Sequence, residues 1–183
     1  MLIVKWQKEL SWSVKVSWSK NAALPILWAA LLLNGRVTLN RVPKIWDVMT
    51  FLDILEGIGV KYKWEWNTLH FDSSNITNEN LNFEKIKKIR SSIFLLSPLL
   101  HFFWSIKIPF PGGCSIWARP IDAHLNWLEA IWYSSTVDNE EITLGWVLKT
   151  WEKTLNASFW VSSTENLIVA NVLRDWKTII RNA

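Results

Sequence analysis

Apolar and polar positions alternate and cluster along this chain in a pattern that recurs. Val14 and Val16 alternate with polar neighbours as in a half-buried strand, residues 17–21 form a polar loop, and residues 22–33 are an apolar run rich in Ala and Leu. That run predicts a buried helix with Pro25 in its first turn, where the missing amide is tolerated. Asn34-Gly35 ends it, and residues 36–40 read as a strand. Beyond Pro43, Val48, Phe51, Leu52 and Leu55 recur at helical spacing within residues 47–58, and Gly59 stops that helix. Residues 61–63 and 68–71 then read as a hairpin.

The pattern restarts. Residues 83–101 are largely helical, with Arg90 near the start of the apolar part. Residues 106–108 are strand-like, and a Pro-Gly-Gly-Cys loop and a second helix, residues 122–131, follow. A third copy begins near Ser158, with a helix over 165–173 and a strand over 178–180. The order is strand, helix, strand, helix, hairpin, with a period of about 70 residues. Asn34-Gly35-Arg36-Val37 aligns with Phe103-Trp104-Ser105-Ile106 and with Asp175-Trp176-Lys177-Thr178. Leu55-Glu56-Gly57-Ile58-Gly59 aligns with Leu128-Glu129-Ala130-Ile131-Trp132.

That alignment changes how the composition reads. Fifteen tryptophans stand beside six glycines, where average glycine usage is about 7%. Trp104 and Trp176 occupy the place of Gly35, and Trp132 that of Gly59, at helix ends where a left-handed residue without Cβ is favoured. Trp12 and Trp18 are flanked by serines, and Trp66 falls in the Glu65-Trp66-Asn67 turn, where a glycine-containing dipeptide is expected. The chain's own symmetry predicts that UGA codons specify glycine in this gene and are written here as tryptophan. The alternative is a genuinely Trp-rich binding module with aromatic platforms for carbohydrate.

Charge and cysteine usage exclude several classes. The net charge of +4 and the short basic cluster at residues 85–90 are too weak for a nucleic-acid surface, yet they suit anionic small molecules. One cysteine rules out an internal disulfide framework and is compatible with a reducing cytoplasm. Residues 1–10 lack a signal-peptide pattern, and residues 22–33 are too short to span a membrane. A soluble protein with no membrane partner is expected.

Candidate chemistry lies where cations meet helix starts. Lys20 and Arg90 occupy equivalent repeat positions at the beginning of a helix, where a cation opposes the dipole unless an anion binds beside it. Singly each reads as a solvated surface charge; together with Arg119 they point to a phosphate or carboxylate site. Cys114, the single thiol, follows Gly112-Gly113 on backbone able to turn sharply. Taken alone it reads as buried, and His124 alone reads as structural.

Ser19-Lys20-Asn21-Ala22-Ala23-Leu24-Pro25, Arg90-Ser91-Ser92-Ile93, Pro111-Gly112-Gly113-Cys114 and Ala118-Arg119-Pro120-Ile121-Asp122-Ala123-His124 together resemble the UDP-N-acetylglucosamine 1-carboxyvinyltransferases. These are the enolpyruvyl transferases that begin peptidoglycan precursor synthesis, and so serve cell-wall biogenesis, cell shape and division. The resemblance runs along essentially the whole chain. It implies an α/β (α+β) fold of repeated βαβαββ units with helices enclosed by sheets. It also implies a cytoplasmic, two-lobed enzyme with no cofactor, no metal and no nucleic-acid partner. Residues 1–13 would form a strand of the second lobe and residues 14–183 the first lobe. That lobe would hold repeats at about 14–80 and 81–150 and an incomplete third at 151–183.

The resemblance also assigns roles. Lys20, Arg90 and Arg119 would bind phosphoenolpyruvate. Asn21, Pro120, Ile121, Asp122, Ala123 and His124 would contact UDP-N-acetylglucosamine, as would Val161, Ser162, Ser163 and Thr164. Cys114 would be catalytic, on a loop closing near the phosphoenolpyruvate methylene, with its thiolate favoured by nearby cations. Ser158 stands where some members carry lysine, which puts phosphate contact there in doubt. The second lobe, with the aspartate that deprotonates the sugar hydroxyl, would be required for activity. In such enzymes glycine is usual at the positions of Trp18, Trp117 and Trp127. The related shikimate-pathway enolpyruvyl transferase is the alternative within the fold.

Overall fold

The computed structural model describes residues 11–112, 121–131, 133–147, 154–156, 161–175 and 177–183. The first unit runs α1 (Lys20–Leu31), β1 (Arg36–Asn40), α2 (Trp46–Gly57), β2 (Lys61–Glu65) and β3 (Thr68–Asp72). Its three strands pair antiparallel in the order β1-β3-β2, with Arg36 and Lys61 both opposite Asp72. The second unit repeats the plan. A short helix α3 (Phe83–Ile86) and a 3₁₀ turn (Arg90–Leu95) lead into α4 (Leu96–Phe102). β4 (Ser105–Pro109), α5 (Asp122–Ile131), β5 (Tyr133–Asp138) and β6 (Glu141–Trp146) follow. The sheet order β4-β6-β5 is the same, again antiparallel. In the third unit β7 (Thr154–Asn156) and β8 (Ile179–Arg181) pair in parallel, and α6 (Val161–Asn171) lies between them in sequence. This is the mixed helix-and-strand repeat the apolar pattern predicts.

The helices meet at the centre and the sheets cover them. α4 is buried at Leu96, Ser97, Pro98, Leu99 and Leu100 in succession, as a helix surrounded on all sides must be. It packs against α6, α1 and the 3₁₀ turn, while α6 also packs on α5. Each strand is pleated, so alternate side chains face the helices. Leu69 and Phe71 of β3, Ile106 and Ile108 of β4, and Ile142 and Leu144 of β6 are buried, and their neighbours face outward.

Four expectations are corrected. Val14 to Val16 form no strand: both valines are exposed, and the segment's backbone tie is the Trp18 amide donating to the Arg41 carbonyl at 3.1 Å. Alternation alone makes no strand without an edge to pair with. Secondly, α1 starts at Lys20, so Pro25 is in its second turn and supplies no amide to the Asn21 carbonyl. Thirdly, residues 83–101 are broken at Ile89, which is extended (φ −126°, ψ 133°). There the Ser92 hydroxyl reaches the Ile86 and Ile89 carbonyls (2.9 and 2.7 Å) that a continuous helix would bond through amides. Finally, α6 begins at Val161, so residues 161–164 form its first turn.

The tryptophan positions sort unevenly. Gly59 has φ +96°, and a Cβ there would lie 2.1 Å from the Asn75 carbonyl oxygen, which agrees with a helix stop only glycine can occupy. At the end of α1, however, the left-handed residue is Asn34 (φ 45°), not Gly35. Its counterpart in the second unit, Phe103, is extended (φ −123°), so Trp104 needs no left-handed backbone. Trp66 does adopt it (φ 54°), with its indole 93% exposed. Trp117, Trp132 and Trp176 lie outside the described residues, as do residues 1–10 of the strand assigned to a second lobe.

Candidate functional site

Each candidate side chain among the described residues stands at the start of a helix. Ser19 caps α1 with extended backbone (φ −68°, ψ 156°), its hydroxyl accepting from the Ala22 amide at 3.2 Å. Lys20 and Asn21 are therefore presented on the first turn, both exposed. The Lys20 ammonium lies 3.5 Å from the carboxylate of Asp47, in the first turn of α2. Part of the cation's placement is thus explained by this surface pair.

Arg90 opens the 3₁₀ turn and is half-buried. Beside it the Ser91 hydroxyl is buried with no hydrogen-bond partner among the described residues. α1 packs on this turn, with the Trp28 ring against that of Phe94.

α5 opens where the Ile121 carbonyl accepts from the amides of His124 and Leu125 (2.8 and 3.2 Å). Asp122, in the first turn, is exposed and favoured by the helix dipole. Ile121 is buried, Ala123 is half-buried, and His124 is only 4% exposed. The resemblance places His124 among the UDP-sugar contacts; its ring faces inward against Phe94 and α6.

The histidine joins a buried polar chain. Its Nδ1 lies 3.0 Å from Asn166 Nδ2, and its Nε2 lies 3.3 Å from Ser162 Oγ. Asn166 Nδ2 also donates to the Ile93 carbonyl at 3.2 Å, and Asn166 Oδ1 accepts from Ser97 Oγ at 2.6 Å. A carbonyl can only accept, so the Asn166 amide nitrogen is fixed facing Ile93 and His124. Nδ1 must then accept, and a neutral imidazole carries its proton on Nε2. Burial first, and the Arg90 cation second, push the His124 pKa down to about 4 from its ordinary 6.5.

This has a measurable consequence. The unfolded chain takes up a proton at His124 as pH falls through 6.5, whereas the native state resists until about 4. The contribution is full above pH 6.5 and is lost across that window, on the order of 3 kcal/mol in all. In urea unfolding, the advantage of the wild type over His124→Gln should shrink between pH 7 and pH 4.

On α6, Val161 is exposed, Ser162 and Thr164 are half-buried and Ser163 is buried. The structure thus joins His124 to Ser162, with the charge of Arg90 felt at the imidazole. Cys114, Arg119, Pro120 and Ser158 lie outside the described residues. Sequence reasoning missed Ser97 and Asn166 as members of this group; the available signal was a polar residue placed within each of two apolar helical runs. Two clefts elsewhere, one lined by Lys15, Arg41 and Lys44 and one by Asn78, Ser105 and Lys107, contain none of the candidate residues.

The repeated units and the cations at their helix starts define one class of fold. A family profile described as EPSP synthase (3-phosphoshikimate 1-carboxyvinyltransferase) matches residues 4–183, and the chain belongs to that family. Solved structures agree on the fold. The enolpyruvyl transferase NikO from Streptomyces tendae superposes with TM-score 0.72 at 16% identity, covering 88% of this chain and 38% of that one. An EPSP synthase from Acinetobacter baumannii gives 0.68 at 10% identity, covering 93% and 40%.

Closer in sequence are proteins named UDP-N-acetylglucosamine 1-carboxyvinyltransferase. One from Acinetobacter baylyi is 38% identical over 96% of this chain, and one from Desulfosudis oleivorans is 35% identical over the whole of this chain. The chain spans 42% and 44% of those relatives. Among the described residues no helix is long and apolar enough to cross a membrane.

Proposed function

We propose that this chain is part of an enolpyruvyl transferase that moves the enolpyruvyl group of phosphoenolpyruvate to the 3′-hydroxyl of UDP-N-acetylglucosamine. That reaction begins peptidoglycan precursor synthesis in the cytoplasm. The observation that carries the reading is sequence identity of 35–38%, over nearly all of this chain, to relatives bearing that enzyme's name.

The reaction is an addition followed by an elimination. The sugar oxygen bonds to C2 of phosphoenolpyruvate while C3 takes up a proton; C3 then loses a proton as the C2–O bond to phosphate breaks and inorganic phosphate leaves. Lys20, Arg90 and Arg119 neutralise the phosphate and carboxylate, where fixed cations lower the cost of charge that develops in the transition state. Asn21 and the segment 120–123 contact the UDP-sugar, as does the first turn of α6, at the positive end of that helix's dipole, which suits a diphosphate. Cys114 sits on the loop beyond Gly112, near the methylene. The base for the sugar hydroxyl comes from a second lobe, which activity requires.

The single thiol provides the test. An epoxide phosphonate should alkylate Cys114 selectively when UDP-N-acetylglucosamine is present, and Cys114→Ser should abolish labelling. Labelling that ignores the UDP-sugar counts against the reading. The shikimate-pathway alternative, whose name the family profile carries, predicts dependence on shikimate 3-phosphate instead.

A further inference from the structure

We infer that His124 is a positioning residue for the nucleotide: its Nε2–H holds the Ser162 oxygen so that the serine's own hydrogen is donated to the diphosphate of the UDP-sugar. The inference rests on the UDP-sugar reading above. A serine hydroxyl has one hydrogen and can turn it either way. Beside a bare ring nitrogen, Ser162 would spend that hydrogen on the imidazole and present lone pairs to an anionic ligand. The chain from Ile93 through Asn166 prevents this. The Ile93 carbonyl orients the Asn166 amide, the amide occupies Nδ1, and the proton is left on Nε2, 3.3 Å from Ser162 Oγ.

Ser97 locks the far side of Asn166 at 2.6 Å. Ser97, His124 and Asn166 are each less than 5% exposed, so none touches ligand, yet together they set the polarity of a hydroxyl on the first turn of α6. That turn already offers the positive end of the helix dipole. A hydroxyl aimed as a donor adds to that field, whereas one aimed as an acceptor would oppose it.

Two measurements on the complete gene product test this. Nitrogen-15 correlation spectra at neutral pH should show the His124 proton on Nε2; a proton on Nδ1 overturns the inference. The second is UDP-N-acetylglucosamine affinity in a double-mutant cycle. Ser162→Ala and His124→Ala should each weaken binding about tenfold, the scale of one hydrogen bond. The double variant should be no weaker than either alone. His124→Gln, which places an amide donor near the Nε2 position, should recover most of the affinity, and it keeps the test valid where the alanine variant fails to fold. Additive losses, or no recovery by glutamine, overturn the positioning role. Absence of UDP-sugar binding by the wild type overturns the underlying reading instead.

A different observation carries a second proposal: the gene reads UGA as glycine, and most of the fifteen tryptophans are glycine in the cell. In the hairpin turn Trp66 holds φ 54° with its ring 93% exposed, a conformation that is a genuine outlier for a bulky side chain and natural for glycine. In the core Trp28 is fully buried, its ring centroid 3.7 Å from that of Phe94, closer than the usual 4.5–7 Å of aromatic pairs. The indole N–H groups of Trp28 and Trp64 are buried with no hydrogen-bond partner among the described residues, a cost that tryptophan normally avoids. Trp146 is accommodated, donating to the Leu100 carbonyl at 3.2 Å beneath Arg174. The gene should therefore show UGA at Trp66 and at most of the fifteen codons. Peptide mass spectra of protein from the native host should show glycine there. UGG at those codons, or tryptophan at position 66 in the native peptide, overturns the proposal.

Discussion

Alanine at Gly112 should lower stability by about 3 kcal/mol or more, the upper range for overpacking against atoms that cannot move aside. The reason is a close approach of two main-chain segments. A Cβ on Gly112 would lie 1.7 Å from the carbonyl oxygen of Lys87 and 2.8 Å from its carbonyl carbon. Backbone at Lys87 is held by its amide, which donates to the Phe83 carbonyl at 3.0 Å. It cannot retreat without disturbing α3 and the segment leading to Arg90. Gly35→Ala is the matched control: its Cβ would meet its nearest neighbour, the Leu33 carbonyl, at 3.4 Å, so the change should be within about 0.5 kcal/mol. Urea unfolding of both variants checks the contrast. Gly112 is therefore not a simple hinge. Gly112 is needed because the chain there is pressed against Lys87, on the segment leading to Arg90.

Lys20→Ala should separate function from folding. Its pair with Asp47 is 3.5 Å long, with the two side chains 50% and 31% exposed, and such surface pairs are worth less than about 1 kcal/mol. Stability should change little. Turnover with phosphoenolpyruvate should fall about 10²- to 10³-fold, the usual loss when a group stabilising transition-state charge is removed. Asp47→Asn removes the same ion pair and leaves the cation. If Lys20 mattered only through Asp47, the two variants would lose the same activity; the reading here predicts that only the lysine variant loses it.

The repeat was legible because each unit carries its own punctuation. Asp122 to Ile131 could be bounded from spacing alone, and the two sheets share one strand order because both hairpins follow the same helix-strand-helix pattern. What could not be read depends on partners distant in sequence. Val14 and Val16 alternate as a strand does, yet pairing, not alternation, makes strands. The break at Ile89 follows from a serine hydroxyl competing for two carbonyls. The motif implies a ligand contact for His124, and its burial is not visible in the sequence. Its role emerges only when α5 is packed on α6 and the turn before α4, bringing Asn166 and Ser97 to one buried chain across 69 positions of sequence. The helix stop at Gly59 was readable because one residue suffices for it; the left-handed residue at the end of α1 was misplaced by one position, onto Gly35 instead of Asn34.

The central claim is that this chain supplies the cationic, cysteine-bearing part of a site that joins phosphoenolpyruvate to a UDP-sugar. Inorganic phosphate release by the complete gene product tests it most directly. Release that requires both phosphoenolpyruvate and UDP-N-acetylglucosamine is the predicted result; no release with that pair, or release supported by shikimate 3-phosphate in place of the UDP-sugar, would contradict it.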